Sequence, residues 1–320
     1  MKFLTNFVEQ LKKERSVALL CHARPDGDCL GGACALKLAL NQKGIRAVVC
    51  SNDPVPEKFK FLPEINNVVN SLEALGVDKD WAMVAVDCAD KTRISEINRF
   101  TQFAGTYNVD HHVSNEKYAN NNYVVDCASN CQNVYAIIKE LGVEIDKEIA
   151  DLLMLGLVTD TGFFRHKNTT SETLDIASEL LKKGADLNLI GYKTFREQSK
   201  ARAKLFGLVM SKIRYFLDDR FAVLTISKRD LDFTGAKSDE TEGFVDFVMG
   251  VNTVEVGACV MEVGENKYKI SFRSKETNVN AVASRFGGGG HVLASGCQIS
   301  GEYEEVIDKI TFAVSRELKD

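Results

Sequence analysis

The 320-residue chain is 45% hydrophobic and 27% charged, ordinary values for a globular protein with real cores, which excludes a disordered, collagen-like or fibrous chain. A net charge of −5 argues against sequence-blind binding of long duplexes but leaves room for a short anionic substrate beside bound metal ions. The length suggests two domains, and no apolar run is long enough to span a bilayer.

Residues 1–6 lead into a charged amphipathic stretch without the apolar core of a secretory signal, so a cytoplasmic protein is expected. The nine cysteines contain no C-x-x-C pair, Cys127 and Cys131 lying closest together, and they read as free thiols rather than a zinc framework. Runs at 17–20, 47–50, 83–86 and 107–109 read as buried strands, alternating with helical stretches at 30–40 and 134–141. That alternation predicts an α/β domain: a mostly parallel sheet flanked by helices. Residues 147–214 read as nearly continuous helix, broken around Gly184 and Gly191. Within them, 193–214 carry seven basic side chains and one acidic one, either a solvated helix face or a wall for an anionic substrate. Runs at 221–226, 255–262 and 267–272 read as strands, the last two joined by a turn at Gly264-Glu265-Asn266. Helices are expected at 240–249, 279–286 and 303–318. The predicted organisation is an α/β domain over 1–190, a helical connector over 191–215 and a smaller α+β domain over 216–320.

The chemistry-bearing residues fall where the apolar runs stop. His22, Asp26 and Asp28 follow the first strand, Asp87 the third, and Asp110, His111 and His112 the fourth, while Asp160 ends a helical stretch. In open α/β sheets, ligands bind beyond the carboxyl ends of the strands. Taken singly, each residue has an ordinary reading: an Asp there caps a helix, as Asp28 could before 30–40, and a His fills a half-buried position. Taken together, four of the five histidines (His22, His111, His112 and His291) sit beside acidic, glycine-rich or strand-end motifs, which independent capping does not predict. Carboxylates and imidazoles without Cys pairs suit Mn²⁺ or Mg²⁺ better than structural zinc. Six candidate ligands are enough for two ions sharing a carboxylate. Such a pair, about 3.5–4 Å apart, activates water and clamps both oxygens of a phosphoryl transfer. Phosphoester hydrolysis is the reaction class this favours.

The ordered set resembles the four motifs of the DHH phosphoesterase superfamily: His22 through Asp28, Asp87-Cys88-Ala89-Asp90, Asp110-His111-His112 and Asp160-Thr161-Gly162. Arg273-Ser274 followed by Gly287 to His291 resembles the accompanying DHHA1 domain, and the nearest branch is that of the nanoRNases and pAp phosphatases. The resemblance implies two Mn²⁺ ions, with Mg²⁺ or Co²⁺ as substitutes. His22, Asp26 and Asp87 would surround one ion, and Asp28, Asp87, His111 and Asp160 the other, with Asp87 as bridge. Asp87, His111 and His112 would be the catalytic core, His112 orienting ligands or bonding the scissile phosphate. Asp110 would brace the turn by accepting backbone N–H bonds, and Asp90 is either a weaker ligand or a cap.

By the same resemblance, Arg273 and Ser274 would hold a phosphate. Gly288, Gly289 and Gly290 would present N–H groups beside the His291 side chain, although four glycines alone would read as a flexible loop. Ser129 and Arg165 join the substrate side, and His166 is unassigned. Val292 stands where the family often has Lys, and the segment 128–131 follows the family only at Ser129. The implied activity is Mn²⁺-dependent degradation of very short RNA, together with removal of the 3′-phosphate of adenosine 3′,5′-bisphosphate. Its partners would be short oligonucleotides and mononucleotide bisphosphates, read by the small domain across an interdomain cleft. No membrane partner is expected, and a homodimer is common among relatives. The runner-up is hydrolysis of linear or cyclic dinucleotides; a nucleotide sensor without turnover is disfavoured because every candidate ligand is present.

Overall fold

In the first sheet, alternate residues of each central strand face opposite directions and both faces are buried: Val17, Leu19, Val84 and Val86 enter one core, Ala18, Leu20, Met83 and Ala85 the other. This computed structural model describes residues 2–100, 102–103 and 105–318, the remaining five (Met1, Thr101, Ala104, Lys319 and Asp320) lying outside the described residues. The chain divides between Glu197 and Gln198 into two compact units.

The first unit runs α1 (Lys2–Leu11), β1 (Ser16–Leu20), α2 (Gly27–Gln42), β2 (Arg46–Cys50), β3 (Ala82–Val86), α3 (Ile97–Phe100), β4 (Thr106–Asp110) and β5 (Asn121–Val124). It continues with α4 (Asn130–Glu140), α5 (Lys147–Asp160), α6 (Ser171–Lys182) and α7 (Leu187–Gly191). The five strands are all parallel in the order β2-β1-β3-β4-β5, as the alternation of strands and helices predicts. The chain leaves β1 in one direction for β2 and in the other for β3, so the crevice at their carboxyl ends is a topological switch point.

Helix α2 is buried on nearly every side, and glycines set how closely it approaches its neighbours. A Cβ at Gly31 would overlap the Leu152 carbonyl of α5, and one at Gly156 would overlap the Cys131 sulfur and lie 2.6 Å from Asp28 Oδ1. These close approaches bring the start of α2, the start of α4 and the end of α5 to one place.

The second unit holds α8 (Lys200–Met210), β6 (Arg214–Phe216), β7 (Phe221–Ile226), α9 (Lys228–Thr234), α10 (Phe244–Val248), β8 (Val256–Gly264) and β9 (Lys267–Ser274). It ends with α11 (Val279–Ser284), β10 (Gly289–His291), β11 (Ala294–Ser300) and α12 (Tyr303–Ser315). Its sheet is mixed, in the order β10-β11-β9-β8-β7-β6, with only β7 and β8 parallel. One face packs on α11 and α12, and the other packs on α8 and α10 at β7 and β8.

Three expectations change. The helical run over 147–214 stops at Asp160, where 161–170 form turns, and Gly191 lies within a helix that continues as a π-turn over Tyr192–Arg196. The helix expected at 240–249 is a 3₁₀ turn (Ser238–Thr241) followed by α10, because Gly243 adopts φ +81° between them. The four glycines before His291 form no free loop: Gly289–His291 is β10, paired antiparallel with β11, and Gly288 lies so close to the Gly296 carbonyl that no Cβ fits.

Candidate metal centre

Asp87 follows the last residue of β3 with φ +54°, a conformation that bulky L-residues avoid, and its N–H donates to the Val109 carbonyl of β4. The strain holds a carboxylate that is 4% exposed at the switch point. Its two oxygens face different partners. Oδ2 lies 3.7 Å from His22 Nε2, which is also 3.8 Å from Asp26 Oδ1. Oδ1 lies 3.3 Å from His111 Nε2, which is in turn 3.9 Å from Asp28 Oδ2 and 3.5 Å from Asp160 Oδ2. All six side chains expected as ligands thus gather into one cluster, with Asp87 common to both halves.

Each imidazole is fixed by the nitrogen that faces away from the cluster. His22 Nδ1 donates to the Ala23 carbonyl and His111 Nδ1 to the Cys127 carbonyl, both at 2.9 Å. Their Nε2 atoms are therefore the ones aimed at the carboxylates, the arrangement that orients a metal-ligating histidine. Asp28 is fully buried and held by the start of α4: Ser129 Oγ donates to Oδ1 at 2.7 Å, Cys131 N to Oδ1 at 2.9 Å and Asn130 N to Oδ2 at 2.6 Å. A helix N-terminus is a favourable place for that negative charge.

Capping falls to Asp26 rather than Asp28. Asp26 Oδ1 accepts from the N–H groups of Asp28 and Cys29, so the start of α2 needs nothing from Asp28. Asp90 accepts from Thr92 N and Oγ1 at the head of a 3₁₀ turn, the capping alternative, and stands outside the ligand groups. Asp110 braces its turn differently from the expectation. It is fully buried, and its carboxylate takes side-chain partners instead of backbone ones: His112 Nδ1 at 2.8 Å and Asn115 Nδ2 at 2.6 Å. The exposed ring of His112 is thereby fixed, its Nδ1 also lying 3.7 Å from Asp87 Oδ1.

Four carboxylates packed this closely disturb one another's ionisation. Burial, then the charges of Asp28 and Asp87, push Asp160 up to about 11. Burial and Asp87 raise Asp28 to about 6 against the pull of His111 and Ser129. Burial would also raise Asp87, but the His111 and His22 imidazoles outweigh it and hold Asp87 well below the usual carboxylate range. Burial opposes charge on His111 as well, yet the Asp87 and Asp28 carboxylates raise it to about 10, and Asp26 and Asp87 raise His22 strongly.

The donor set fits a divalent cation. The donors are carboxylate oxygens and imidazole nitrogens, hard to borderline, with no cysteine in any of the ligand groups formed by the described residues. Asp87 Oδ1 is buried and has no hydrogen-bond partner, a costly state that a cation would relieve.

The residues expected on substrate are placed unevenly. Ser129 is fully buried, its hydroxyl committed to Asp28, so it positions that carboxylate instead of meeting solvent. Arg165 is exposed, its Nε donating to the Gly162 carbonyl, and His166 Nδ1 lies 3.2 Å from the Asp160 carbonyl. In the second unit, Arg273 Nε pairs with Asp246 at 3.1 Å and Ser274 Oγ donates to the Thr277 carbonyl. Gly289, Gly290 and His291 are exposed along β10. Much of the basic run at 193–214 is spent locally: Lys193 pairs with Glu197, Lys212 with Asp230 and Arg214 with Glu304. Sequence reasoning missed Asn115, Asn130 and Cys131, of which the last two could have been found from the Ser129 cap signature at the start of α4.

Comparison with known proteins gives a consistent picture. The DHH family N-terminal domain matches residues 16–157, and the DHHA1 domain matches residues 218–320. A Thermus thermophilus protein named bifunctional oligoribonuclease and PAP phosphatase NrnA is 32% identical over 312 residues, covering 95% of this chain and 91% of that one. Its Bacillus subtilis namesake is 28% identical, over 92% of this chain and 93% of its own. The crystal structure of an exopolyphosphatase-related protein from Bacteroides fragilis matches with a TM-score of 0.86 at 25% identity, covering 98% of this chain and 96% of that one.

Proposed function

The chain belongs to the DHH family of phosphoesterases and carries the DHHA1 domain, and from that premise we propose that it hydrolyses short oligoribonucleotides and removes the 3′-phosphate of adenosine 3′,5′-bisphosphate, using two Mn²⁺ ions. The observation that carries the reading is Asp87: one strained, buried carboxylate whose two oxygens face two separate sets of imidazole and carboxylate donors. The names of the T. thermophilus and B. subtilis relatives point to the same substrate class.

In this reading His22, Asp26 and Asp87 hold one ion, and Asp28, Asp87, His111 and Asp160 the other. When bound, the two dications supply the positive charge and the ionisable water that an in-line phosphoryl transfer requires. The rest falls to the chain. The N-terminal amides of α4 and Ser129 keep Asp28 in place, and the Nδ1–H bonds of His22 and His111 keep both Nε2 lone pairs turned inward. His112, with Nδ1 fixed by Asp110, presents Nε2 to hydrogen-bond a phosphate oxygen or pass a proton to the departing ribose oxygen. We assign phosphate recognition in the second unit to Arg273 and His291, the former having to exchange Asp246 for the substrate.

The test is turnover of RNA dinucleotides, longer RNA oligomers and adenosine 3′,5′-bisphosphate side by side, each in Mn²⁺ and in Mg²⁺. The proposal expects the dinucleotides and the bisphosphate to be hydrolysed and activity to fall steeply with oligomer length. Turnover of long RNA alone, or of none of these, would contradict it.

A further inference from the structure

Immediately beyond Asp160 the chain does something costly that the metal centre does not require. Phe163 and Phe164 adopt φ +62° and +63°, the left-handed region that bulky residues avoid. The opposite wall is also irregular. After α7 the chain runs as a π-turn over Tyr192–Arg196, closed by the Glu197 N–H donating to the Tyr192 carbonyl at 2.7 Å, a feature often found at functional sites. Gly191 makes the two walls compatible, since a Cβ there would overlap the Phe163 ring. Together they line an open cavity of about 550 Å³ within the first unit.

The lining has a specific chemistry. Phe163 and Phe195 meet edge to face, their ring centroids 6.1 Å apart. Phe195 remains 43% exposed and Tyr192 52% exposed, so their faces are available to a flat ligand. Two guanidinium groups flank them. Arg165 uses Nε on the Gly162 carbonyl, and neither Arg165 nor Arg196 has an ion-pair partner among the described residues. Asn188 adds an amide to the same wall. Aromatic faces beside unpaired arginines are how single-stranded nucleic acids are held, each base stacking while the guanidinium groups take a flanking phosphate. Phe163 lies three residues after Asp160, so its Cα is at most about 11 Å away, close enough for one nucleotide to reach both.

We propose that the cavity lined by Phe163, Arg165, Asn188, Tyr192, Phe195 and Arg196 is a nucleotide subsite that stacks one base of the substrate and binds its flanking phosphate. The proposal rests on the phosphoesterase reading for the identity of the ligand, but the pocket's existence as a binding site does not depend on turnover. The backbone strain at 163–164 serves to aim the Phe163 ring and the Arg165 guanidinium into this space.

Two measurements test it. The first compares kcat/KM for an RNA dinucleotide with that for the same dinucleotide made abasic at either end, in the wild-type protein and in Phe195→Ala and Tyr192→Ala. The wild type should favour the base by roughly tenfold or more at one end, and the variants should lose most of that preference. An unaltered preference in both variants would overturn the subsite. The second is equilibrium binding of adenosine 5′-monophosphate to metal-free protein by calorimetry, with Arg196→Ala included. Phe195→Ala should weaken binding about tenfold, and Arg196→Ala should weaken the monophosphate more than adenosine. If the wild type hydrolyses nothing yet binds the monophosphate in a Phe195-dependent manner, the phosphoesterase reading fails and the subsite stands. Binding indifferent to Phe195 and Arg196, or a change of oligomeric state in place of affinity, would overturn the subsite.

Discussion

Ser129→Ala should separate a positioning role from a substrate contact. The hydroxyl does two things at once: it donates to the buried Asp28 carboxylate at 2.7 Å, and it accepts from the Cys131 N–H at 3.1 Å as the cap of α4. A hydrogen bond to a charged group contributes about 1.5–3 kcal/mol, and a Ser cap about 1 kcal/mol. One oxygen serves both, so the losses overlap and about 2–3 kcal/mol is expected. For a unit of this size each kcal/mol moves the midpoint by roughly 2–4 °C, giving a fall of about 5–10 °C in the thermal transition of the first unit. Loss of the donor also raises Asp28 further, which weakens the site's hold on a cation at neutral pH. Calorimetry of the metal-free protein and Mn²⁺ titration read both effects. A variant with an unchanged midpoint and unchanged Mn²⁺ affinity, but a raised KM, would refute the positioning argument and return Ser129 to the substrate.

Gly156→Ala should cost stability although alanine is the better helix former, because its Cβ meets the Cys131 sulfur and Asp28 Oδ1; about 1–3 kcal/mol is expected in urea unfolding, with weaker Mn²⁺ binding, and a stabilised variant would contradict the packing. Metal affinity should strengthen as pH rises. His111, raised to about 10, and Asp160, raised to about 11, hold protons at neutral pH that a cation must displace. Calorimetry in buffers of different ionisation enthalpy should therefore record proton release on binding, and a pH-independent affinity would count against these assignments. Arg273→Ala and His291→Ala should raise KM for nucleotide substrates while bound metal, measured by elemental analysis, stays constant; metal loss would show that their role is misassigned.

Strands β1 and β3 were legible because they are apolar runs whose every residue is buried or nearly so, which composition alone signals, whereas β4 is equally buried but showed only through Tyr107 and Val109, its Thr106, Asn108 and Asp110 being polar. Strand β5 was not. Asn121 and Asn122 favour turns, and only pairing with Tyr107 and Asn108 of β4 makes them a strand. Strands β10 and β11 were hidden in the same way, since Gly289 pairs with Gly296 and glycine carries no strand signal. The clustering of these carboxylates and imidazoles could be read because such residues at the ends of strands have few other uses in that concentration. What holds them could not. The donors to Asp28 come from residues 101 to 103 positions further along the chain, brought near only because Gly31 and Gly156 let α2 and α5 close up. The exchange of capping between Asp26 and Asp28 has the same origin, because α4 captures one carboxylate and leaves the other to the helix it precedes.

The most direct test of the account is anomalous scattering at the manganese edge from crystals grown in saturating Mn²⁺, paired with Asp87→Asn. Two peaks should flank the Asp87 carboxylate, one beside His22 and one beside His111, and the variant should lose at least one of them along with hydrolysis while keeping its fold. A single ion bound away from Asp87, or a fully active Asp87→Asn protein, would contradict the claim that one buried carboxylate joins two metal sites.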